Sequence, residues 1–207
     1  KLAVGGGGAW GPALAQVAAA GGRETLLWAL EDDVVAAVNA IHENPVYLKG
    51  LKLDPAIQAT GNFSELAEAD AWLVVTPAQH MRSVLERGAS MGKPLVLCSK
   101  GIEERSGKLL HEVAHEVCPG SPVAALSGPT FAHEVAAGLP TAVTLAFRWA
   151  VSTDLPGAVR TSAPPTPDAV DQTQWWPLPL VIHTALPLDV DPGDAAQVLA
   201  DTVADQP

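Results

Sequence analysis

Cysteine, basic side chains and long apolar runs are all scarce in this sequence. Two cysteines among 207 residues cannot form a disulfide framework, so a reducing cytoplasm is the expected compartment. Twelve Lys and Arg face 23 Asp and Glu, for a net charge of −11, whereas a protein that coats nucleic acid needs clustered bases. No run of about 18 apolar residues is free of Gly, Pro or a charge, which excludes a transmembrane helix. We therefore expect neither a nucleic-acid partner nor a membrane partner.

The last 61 residues lack both lysine and glutamate. Residues 147–207 carry eight Asp against only Arg148 and Arg160, and they hold half of the 18 prolines. We therefore predict one domain over residues 1–146 and a Pro/Asp-rich tail over residues 147–207. Translation in a shifted reading frame, an unstructured extension and a small divergent domain could each produce such a tail. The abrupt change of composition favours the frame shift.

A glycine-rich segment follows the first apolar residues of the chain. The apolar run 2–4 leads into four consecutive glycines and then the Ala-rich stretch Pro12–Ala20, a pattern that predicts strand, turn and helix. In the register Gly6-x-Gly8-x-x-Gly11 the segment matches the dinucleotide-binding fingerprint. The first glycine permits a tight turn, the second lets the backbone approach a pyrophosphate, and the third allows close packing of helix on strand. A packing turn rich in Ala and Gly would show the same letters.

Glu31 stands 20 residues after Gly11, just beyond a second predicted strand over Glu24–Ala29. In dinucleotide-binding folds a carboxylate at this position accepts a hydrogen bond from the ribose 2′-hydroxyl of the adenosine. An acid at the start of the helix predicted over Val34–Ile41 is equally well explained by the helix dipole. The spacing therefore leaves two interpretations of Glu31, a ribose ligand and a helix-terminal acid.

Strands and helices alternate through the rest of the first domain. Compact apolar runs at Ala71–Thr76, Pro94–Ser99 and Pro122–Leu126 are typical of strands buried on both faces of a parallel sheet. Helical spacing predicts helices over His80–Gly88 and Glu103–Val117. The alternation predicts an α/β fold with a Rossmann-type, doubly wound and mostly parallel sheet.

Three polar segments directly follow these predicted strands. They are Thr76-Pro77, Ser99-Lys100-Gly101 and Ser127-Gly128-Pro129-Thr130. Ligands of doubly wound sheets bind at the carboxyl ends of the strands. Because those ends share one edge of a parallel sheet, we expect the three segments to face one crevice.

A rival motif, His111-Glu112-Val113-Ala114-His115, is a literal H-E-x-x-H on a predicted helix. Two histidines at i and i+4 share a helix face and could bind zinc, with Glu112 as general base and Glu134 as a third ligand. The surrounding alternation of strand and helix is not the usual setting of this motif. An amphipathic helix with two exposed histidines accounts for the same letters, so we assign no metal site.

Several segments occur together in a fixed order. They are Gly6-x-Gly8-Ala9-Trp10-Gly11, His42-Glu43-Asn44-Pro45-Val46-Tyr47-Leu48, Ser99-Lys100-Gly101-Ile102-Glu103, Leu126-Ser127-Gly128-Pro129-Thr130-Phe131-Ala132, Glu134-Val135-Ala136 and Gly138-Leu139-Pro140-Thr141. Over essentially all of residues 1–146 the sequence resembles the N-terminal half of the bacterial NAD(P)-dependent glycerol-3-phosphate dehydrogenases. The resemblance implies reversible hydride transfer between NAD or NADP and a small-molecule phosphate, dihydroxyacetone phosphate, in the synthesis of phospholipid precursors.

The resemblance also implies roles for individual residues. It adds Ala9, Trp10, Lys100 and Ala132 as cofactor contacts to the Gly6, Gly8, Gly11 and Glu31 of the fingerprint. It implies substrate contacts at Lys100, Gly128 and Thr130. The family often has Arg where Leu30 stands here, and the loss of this partner for a 2′-phosphate favours NAD slightly over NADP.

The resemblance stops near residue 146. The family continues into an all-helical second domain whose Lys is the general acid, and this sequence has no lysine after Lys108. No catalytic residue is therefore carried over, and we expect little or no turnover and an exposed apolar sheet surface. A catalytically dead dinucleotide-binding module and a different two-domain NAD(P)-dependent dehydrogenase are the alternatives, and a homo-oligomer is compatible with each.

Overall fold

The computed structural model describes residues 1–88, 92–139, 141–147 and 180–185. Strands and helices alternate from the first residues onward, as the apolar runs of the sequence predict. In chain order the elements are β1 Leu2–Gly5, α1 Trp10–Ala20, β2 Thr25–Trp28, α2 Asp32–Ile41, β3 Glu43–Asn44, β4 Leu48–Lys52, β5 Ile57–Thr60, a 3-10 helix Phe63–Glu68, β6 Ala71–Val74, α3 Ala78–Gly88, β7 Leu95–Leu97, α4 Leu110–Val117, β8 Val123–Ser127, α5 Ala132–Ala136, β9 Ala142–Phe147 and β10 Leu180–Ala185.

Eight of these strands form one sheet in the order β10-β9-β8-β7-β6-β1-β2-β5. Six neighbouring strands are parallel to one another, namely β8, β7, β6, β1, β2 and β5. Strand β9 runs antiparallel to β8, and β10 runs antiparallel to β9. From β1 the chain builds outward to β2 and β5, then returns to the other side of β1 with β6. This reversal confirms the predicted doubly wound Rossmann-type sheet and puts a switch point between β1 and β6, where such sheets bind ligands.

The core has two layers, one on each face of the sheet. Successive residues of a strand point to opposite faces, so Ala3 packs with α3 and α4 while its neighbour Val4 packs with α1, α2 and α5. In the first layer the Phe63 ring stands edge-on between Trp28 and Trp72, with centroid distances of 5.1 and 5.5 Å. Both faces of β1 and β2 are therefore buried, which explains their continuous apolar sequences.

The predicted helix over Glu103–Val117 is wrong in its first half, because α4 begins only at Leu110. The Glu103 backbone N–H bonds to the Lys108 carbonyl at 2.9 Å, and the Gly107 N–H bonds back to the Glu103 carbonyl at 2.8 Å. Gly107 has φ +69°, which takes the backbone out of the helical region. These bonds close residues 103–108 into a compact loop between β7 and α4.

Several short elements had no prediction. The strands β3, β4, β5, β9 and β10, the 3-10 helix and α5 are each six residues or fewer. Phe147 and strand β10 lie in the predicted tail. The rest of that tail lies outside the described residues, so the frame shift, the unstructured extension and the divergent domain all stay predictions. Within the described ranges no helix is long and apolar enough to cross a membrane.

Candidate functional site

The three polar segments predicted to face one crevice do come together. They follow β6, β7 and β8, which are neighbouring parallel strands and end at the same edge of the sheet. The Ser99 hydroxyl donates to the Thr76 carbonyl, and the Lys100 Nζ lies 3.5 Å from the Gly128 carbonyl oxygen. These contacts join the three strand ends into one wall of the site.

The glycine turn between β1 and α1 forms the neighbouring part of this edge. Gly6 has φ +148°, and a Cβ there would lie 2.8 Å from the Val75 carbonyl oxygen. A Cβ at Gly11 would lie 1.7 Å from the Gly6 carbonyl oxygen. Gly8 is exposed, and a Cβ there would meet nothing within 4 Å. The turn is therefore closed to side chains at both ends and open in the middle.

Gly7 received no role from the fingerprint, yet the structure requires glycine there as well. A Cβ on Gly7 would lie 2.5 Å from the Cβ of Ala29, closer than two carbon atoms can approach. The Gly7 carbonyl oxygen also accepts a hydrogen bond of 2.8 Å from the side-chain amide of Asn44. Since a packing contact needs no fixed sequence spacing, the motif alone could not reveal this constraint.

Helix α1 begins directly after the turn. Ala9 precedes its first residue, Trp10, and both side chains are partly buried. The first N–H groups of a helix carry a partial positive charge and point towards its N-terminal side, which here is the glycine turn. Trp10 also lines a small cleft together with Lys100, Gly128 and Thr130. The helix start thus links the glycine turn to the Lys100 wall.

Glu31 lies beside the glycine turn, beyond the carboxyl end of β2. It precedes α2, but its side chain makes no capping hydrogen bond to that helix. Its Oε1 instead accepts a hydrogen bond of 3.2 Å from the Tyr47 hydroxyl, which raises the pKa of Tyr47. A Cβ on Gly7 would lie 3.5 Å from Oε2, so the carboxylate stands next to the turn. Glu31 thus lies both at the N-terminus of α2 and beside the glycine turn, so both interpretations stay predictions.

The loop that carries Lys100 is held by side chains of α3. Gln79 bonds the loop twice, to the Ile102 carbonyl and to the Glu104 N–H, each at 2.9 Å. Arg82 forms a bidentate ion pair with the buried Glu103 at 2.8 and 3.0 Å. The Arg82 guanidinium and the Ser106 hydroxyl hold the pKa of Glu103 down to about 2. These bonds fix residues 102–104, which follow Lys100 in the loop.

Two threonine hydroxyls at the strand ends are buried without a hydrogen-bond partner in the described part of the chain. They are the Oγ1 atoms of Thr76 and Thr130. Buried hydroxyls are normally paired, so an unpaired one at a crevice indicates a position where a ligand can supply the partner.

Ala132, the first residue of α5, is only 9% exposed and packs in the same core layer as Ala9 and Trp10.

Cys98 and the H-E-x-x-H residues contribute no nucleophile or metal site to this edge. Burial raises the pKa of the Cys98 thiol to about 12, so the thiol is protonated at neutral pH. The Glu112 carboxylate accepts a 2.7 Å hydrogen bond from the Leu109 N–H at the start of its own helix. Glu134 sits on α5, across the sheet from α4. Within the described ranges no group of three or more His, Cys, Asp or Glu side chains could hold a metal.

An apolar groove of about 420 Å³ runs along the sheet beside α1 and adjoins the site. Trp10, Leu14, Leu126 and Val143 line both this groove and the small cleft at Lys100. The side chains of β6, β7 and β8 on this face are only partly buried, whereas those pointing to the other face of β6 and β7 are buried. An exposed apolar sheet surface, expected from the sequence, is therefore present in the described part of the chain.

Comparison with known proteins assigns this architecture to a family. A family profile described as "NAD-dependent glycerol-3-phosphate dehydrogenase N-terminus" matches residues 1–150. Two curated relatives named glycerol-3-phosphate dehydrogenase (NAD(P)+), from Erythrobacter litoralis and Parvibaculum lavamentivorans, are each 60% identical to the chain, over 146 and 149 residues. Both alignments cover 70% of this chain but 44% and 45% of the relatives, so the chain spans less than half of their length.

Solved structures agree with this assignment. The crystal structure of glycerol-3-phosphate dehydrogenase from Coxiella burnetii has a TM-score of 0.64 and 34% sequence identity, over 69% of this chain and 45% of that protein. The Saccharomyces cerevisiae glycerol-3-phosphate dehydrogenase has a TM-score of 0.66 at 23% identity, over 75% of this chain and 49% of that protein, which supports the fold.

The Arg82–Glu103 pair predicts a pH dependence of stability. Because the pKa of Glu103 is lowered to about 2 in the folded state, its contribution is complete above the ordinary pKa of 4.5 and is lost as the pH falls towards 2. We expect Glu103→Gln to lower the thermal midpoint at pH 7 and to flatten its decline between pH 5 and pH 2. Thermal denaturation followed by circular dichroism measures both effects.

The exposed neighbour Glu104 provides the control, since its side chain is outside this ion pair. Glu104→Gln should keep the wild-type pH profile. If Glu103→Gln and the wild type decline in parallel, the ion pair does not account for the acid sensitivity.

Proposed function

This chain belongs to the NAD-dependent glycerol-3-phosphate dehydrogenase family through residues 1–150, and we propose that these residues bind the dinucleotide of a hydride transfer between NAD(P)H and dihydroxyacetone phosphate. The observation that carries the proposal is the glycine turn. A Cβ is excluded at Gly6, Gly7 and Gly11, whereas Gly8 faces open space. A pyrophosphate fits at Gly8, because its backbone can be approached closely and the start of α1 is adjacent.

The adenosine end of the dinucleotide fits beside Glu31. Its carboxylate stands next to the turn and is not engaged by its own helix, so it can accept a hydrogen bond from a ribose 2′-hydroxyl. Leu30 is 73% exposed at the position where a base could pair with a 2′-phosphate. An acidic and an apolar side chain here support a preference for NAD over NADP.

The nicotinamide and the phosphate substrate fit at the strand ends of β6, β7 and β8. Lys100 offers a positive charge 3.5 Å from the Gly128 carbonyl, and the unpaired Thr130 hydroxyl lies in the same cleft. When bound, NAD(P)H supplies the hydride. Lys100, Gly128 and Thr130 would hold the phosphate of the substrate. They would thereby keep the substrate carbonyl next to the nicotinamide in the orientation that hydride transfer needs.

We also propose a compartment and a metabolic role for this chain. Cys98 and Cys118 are both free thiols, which supports a reducing cytoplasm. The family's substrate also supports a role in supplying phospholipid precursors.

Gly8→Ala tests the dinucleotide site directly. The added methyl group meets no protein atom and Gly8 has no positive φ, so we expect the thermal midpoint to stay within about 2 °C of the wild type, as for a surface change of under 0.5 kcal/mol. The methyl group occupies the space of the pyrophosphate, so NADH affinity should fall at least tenfold, about 1.4 kcal/mol. Calorimetric titration of both proteins with NADH and NADPH measures this effect. Wild-type affinity in Gly8→Ala would contradict the proposed site.

Lys100→Ala tests the anion-binding role, with Lys93→Ala as the matched control. Lys93 precedes β7 and Lys100 follows it, so the two lysines stand at opposite ends of one strand. A charge-assisted contact contributes about 1.5–3 kcal/mol, so Lys100→Ala should weaken the binding of dihydroxyacetone phosphate to the NADH complex roughly tenfold or more in calorimetric titration. Lys93→Ala should leave it unchanged. Equal effects of the two substitutions would show that only the net charge matters.

A turnover assay tests the expectation that this chain alone has little activity. No residue of this sequence matches the family's general-acid Lys, and proton transfer to the carbonyl oxygen contributes about 10²–10⁴-fold to such reactions. With NADH or NADPH and dihydroxyacetone phosphate, we expect a rate below about 1% of an intact relative's. The Parvibaculum lavamentivorans relative is the positive control. A near-normal rate would show that residues of this chain supply the missing proton.

A further inference from the structure

Asn44 is a fully buried polar side chain in the β3–β4 hairpin that reaches the glycine turn. Its Nδ2 donates to the Gly7 carbonyl at 2.8 Å, and its Oδ1 accepts from the N–H groups of Val46 and Tyr47 at 3.2 and 3.0 Å. The two N–H donors fix which end of the amide is the oxygen, so its NH₂ group must face Gly7. One amide therefore shapes the hairpin with its oxygen and holds the turn with its nitrogen.

The bond to Gly7 determines the direction of the next N–H group. A trans peptide unit is planar, with its C=O and N–H pointing in opposite directions. The Gly7 carbonyl and the Gly8 N–H belong to the same peptide unit. Because Asn44 fixes the carbonyl on the buried side, the Gly8 N–H points away from Asn44, and Gly8 itself is exposed.

This restraint matters because the turn contains four consecutive glycines, Gly5–Gly8. Glycine has the largest conformational freedom to lose, and a flexible loop that is ordered only by its ligand binds more weakly. Ala29 packs against Gly7 and limits its position, but a packing contact with a Cβ does not orient a peptide plane. The Asn44 amide supplies that orientation.

We propose that Asn44 is a positioning residue for dinucleotide binding, which presets the Gly7–Gly8 peptide so that the Gly8 N–H faces the pyrophosphate. The inference rests on the proposed function. According to this proposal, NADH affinity depends on a side chain that lies 37 residues from Gly7 in sequence and need not contact the dinucleotide. The same hairpin bonds Glu31 through Tyr47, so it restrains both the turn and the carboxylate beside it.

Asn44→Asp is the sharpest variant, because aspartate is isosteric with asparagine. It keeps the oxygen that accepts from Val46 and Tyr47 but replaces the donor facing Gly7 with a second oxygen. We expect the hairpin to persist, the Gly7–Gly8 peptide to lose its fixed orientation, and NADH affinity to fall at least tenfold in calorimetric titration of the full chain. We expect the Gly8 amide resonance to shift on NADH addition in the wild type and to shift little in the variant.

Asn39→Asp is the matched control. The Asn39 amide makes an equivalent pair of 2.8 Å bonds with the Ala59 backbone, between α2 and β5. Asn39→Asp loses one amide-to-carbonyl bond and adds one negative charge, as Asn44→Asp does, but at an exposed position, whereas Asn44 is fully buried. The neutral variant Asn44→Ser, which also removes the donor to Gly7, therefore separates the lost bond from the buried charge. We expect Asn39→Asp to lower the thermal midpoint while NADH affinity and the Gly8 shift stay within about twofold of the wild type.

The outcomes separate the inference from the proposed function. If the wild type does not bind NADH, both fail. If the wild type binds and the two variants weaken binding equally, or the Gly8 amide of Asn44→Asp shifts as in the wild type, Asn44 has no positioning role and the dinucleotide site stands. If Asn44→Asp does not fold, Asn44→Ser replaces it, because a serine hydroxyl can still accept from the hairpin N–H groups but is too short to reach Gly7. Wild-type affinity in Asn44→Ser would overturn the inference.

Discussion

The absence of space for side chains at the glycine turn is the constraint on which the site depends. Strand β1 leads into α1 through a turn that packs against Val75 and Ala29 and that nearly touches its own helix at Gly11. Three of the glycines are required by these contacts whether or not a ligand is bound. Gly8 is different, because no protein atom lies where its Cβ would be. Packing does not require glycine at this position, and this is the reason why the pyrophosphate is proposed to bind there.

The two halves of the site share one design. Each is a stretch of backbone with little intrinsic rigidity, the glycine turn in one case and the Lys100 loop in the other. Each is held from outside by a polar side chain with two or more hydrogen bonds, Asn44 for the turn and Arg82 for the loop. Both side chains hold atoms one or more residues away from those that would face the ligand. Side chains of neighbouring elements therefore restrain the backbone of the turn and of the loop, and the ligand-facing positions need no bulky side chains.

The sequence predicted the sheet well and these restraints poorly. Runs such as Ala71–Thr76 and Pro94–Ser99 are continuous in hydrophobicity because one face of each strand is buried and the other lines the apolar groove, so composition alone indicates them. The β3–β4 hairpin is mostly exposed, whereas Asn44 is buried and bonds the Gly7 carbonyl through its amide. The segment 103–109 has helical spacing, but Glu103 pairs with Arg82 across 21 residues. Long-range polar bonds leave no period in the sequence, so no local pattern could reveal them.

The acidic charge of the chain is compatible with an anionic ligand because binding responds to the local field rather than to net charge. Around the Lys100 loop two of the acids are already paired, since Glu103 and Glu116 bond to Arg82 and Glu116 also bonds to Lys108. Lys100 approaches a carbonyl oxygen and not a carboxylate. At the other half of the site, backbone N–H groups at the start of α1 provide positive potential that no count of side-chain charges records. In the proposed site Glu31 suits the uncharged ribose hydroxyls of the adenosine end, where NAD carries no phosphate.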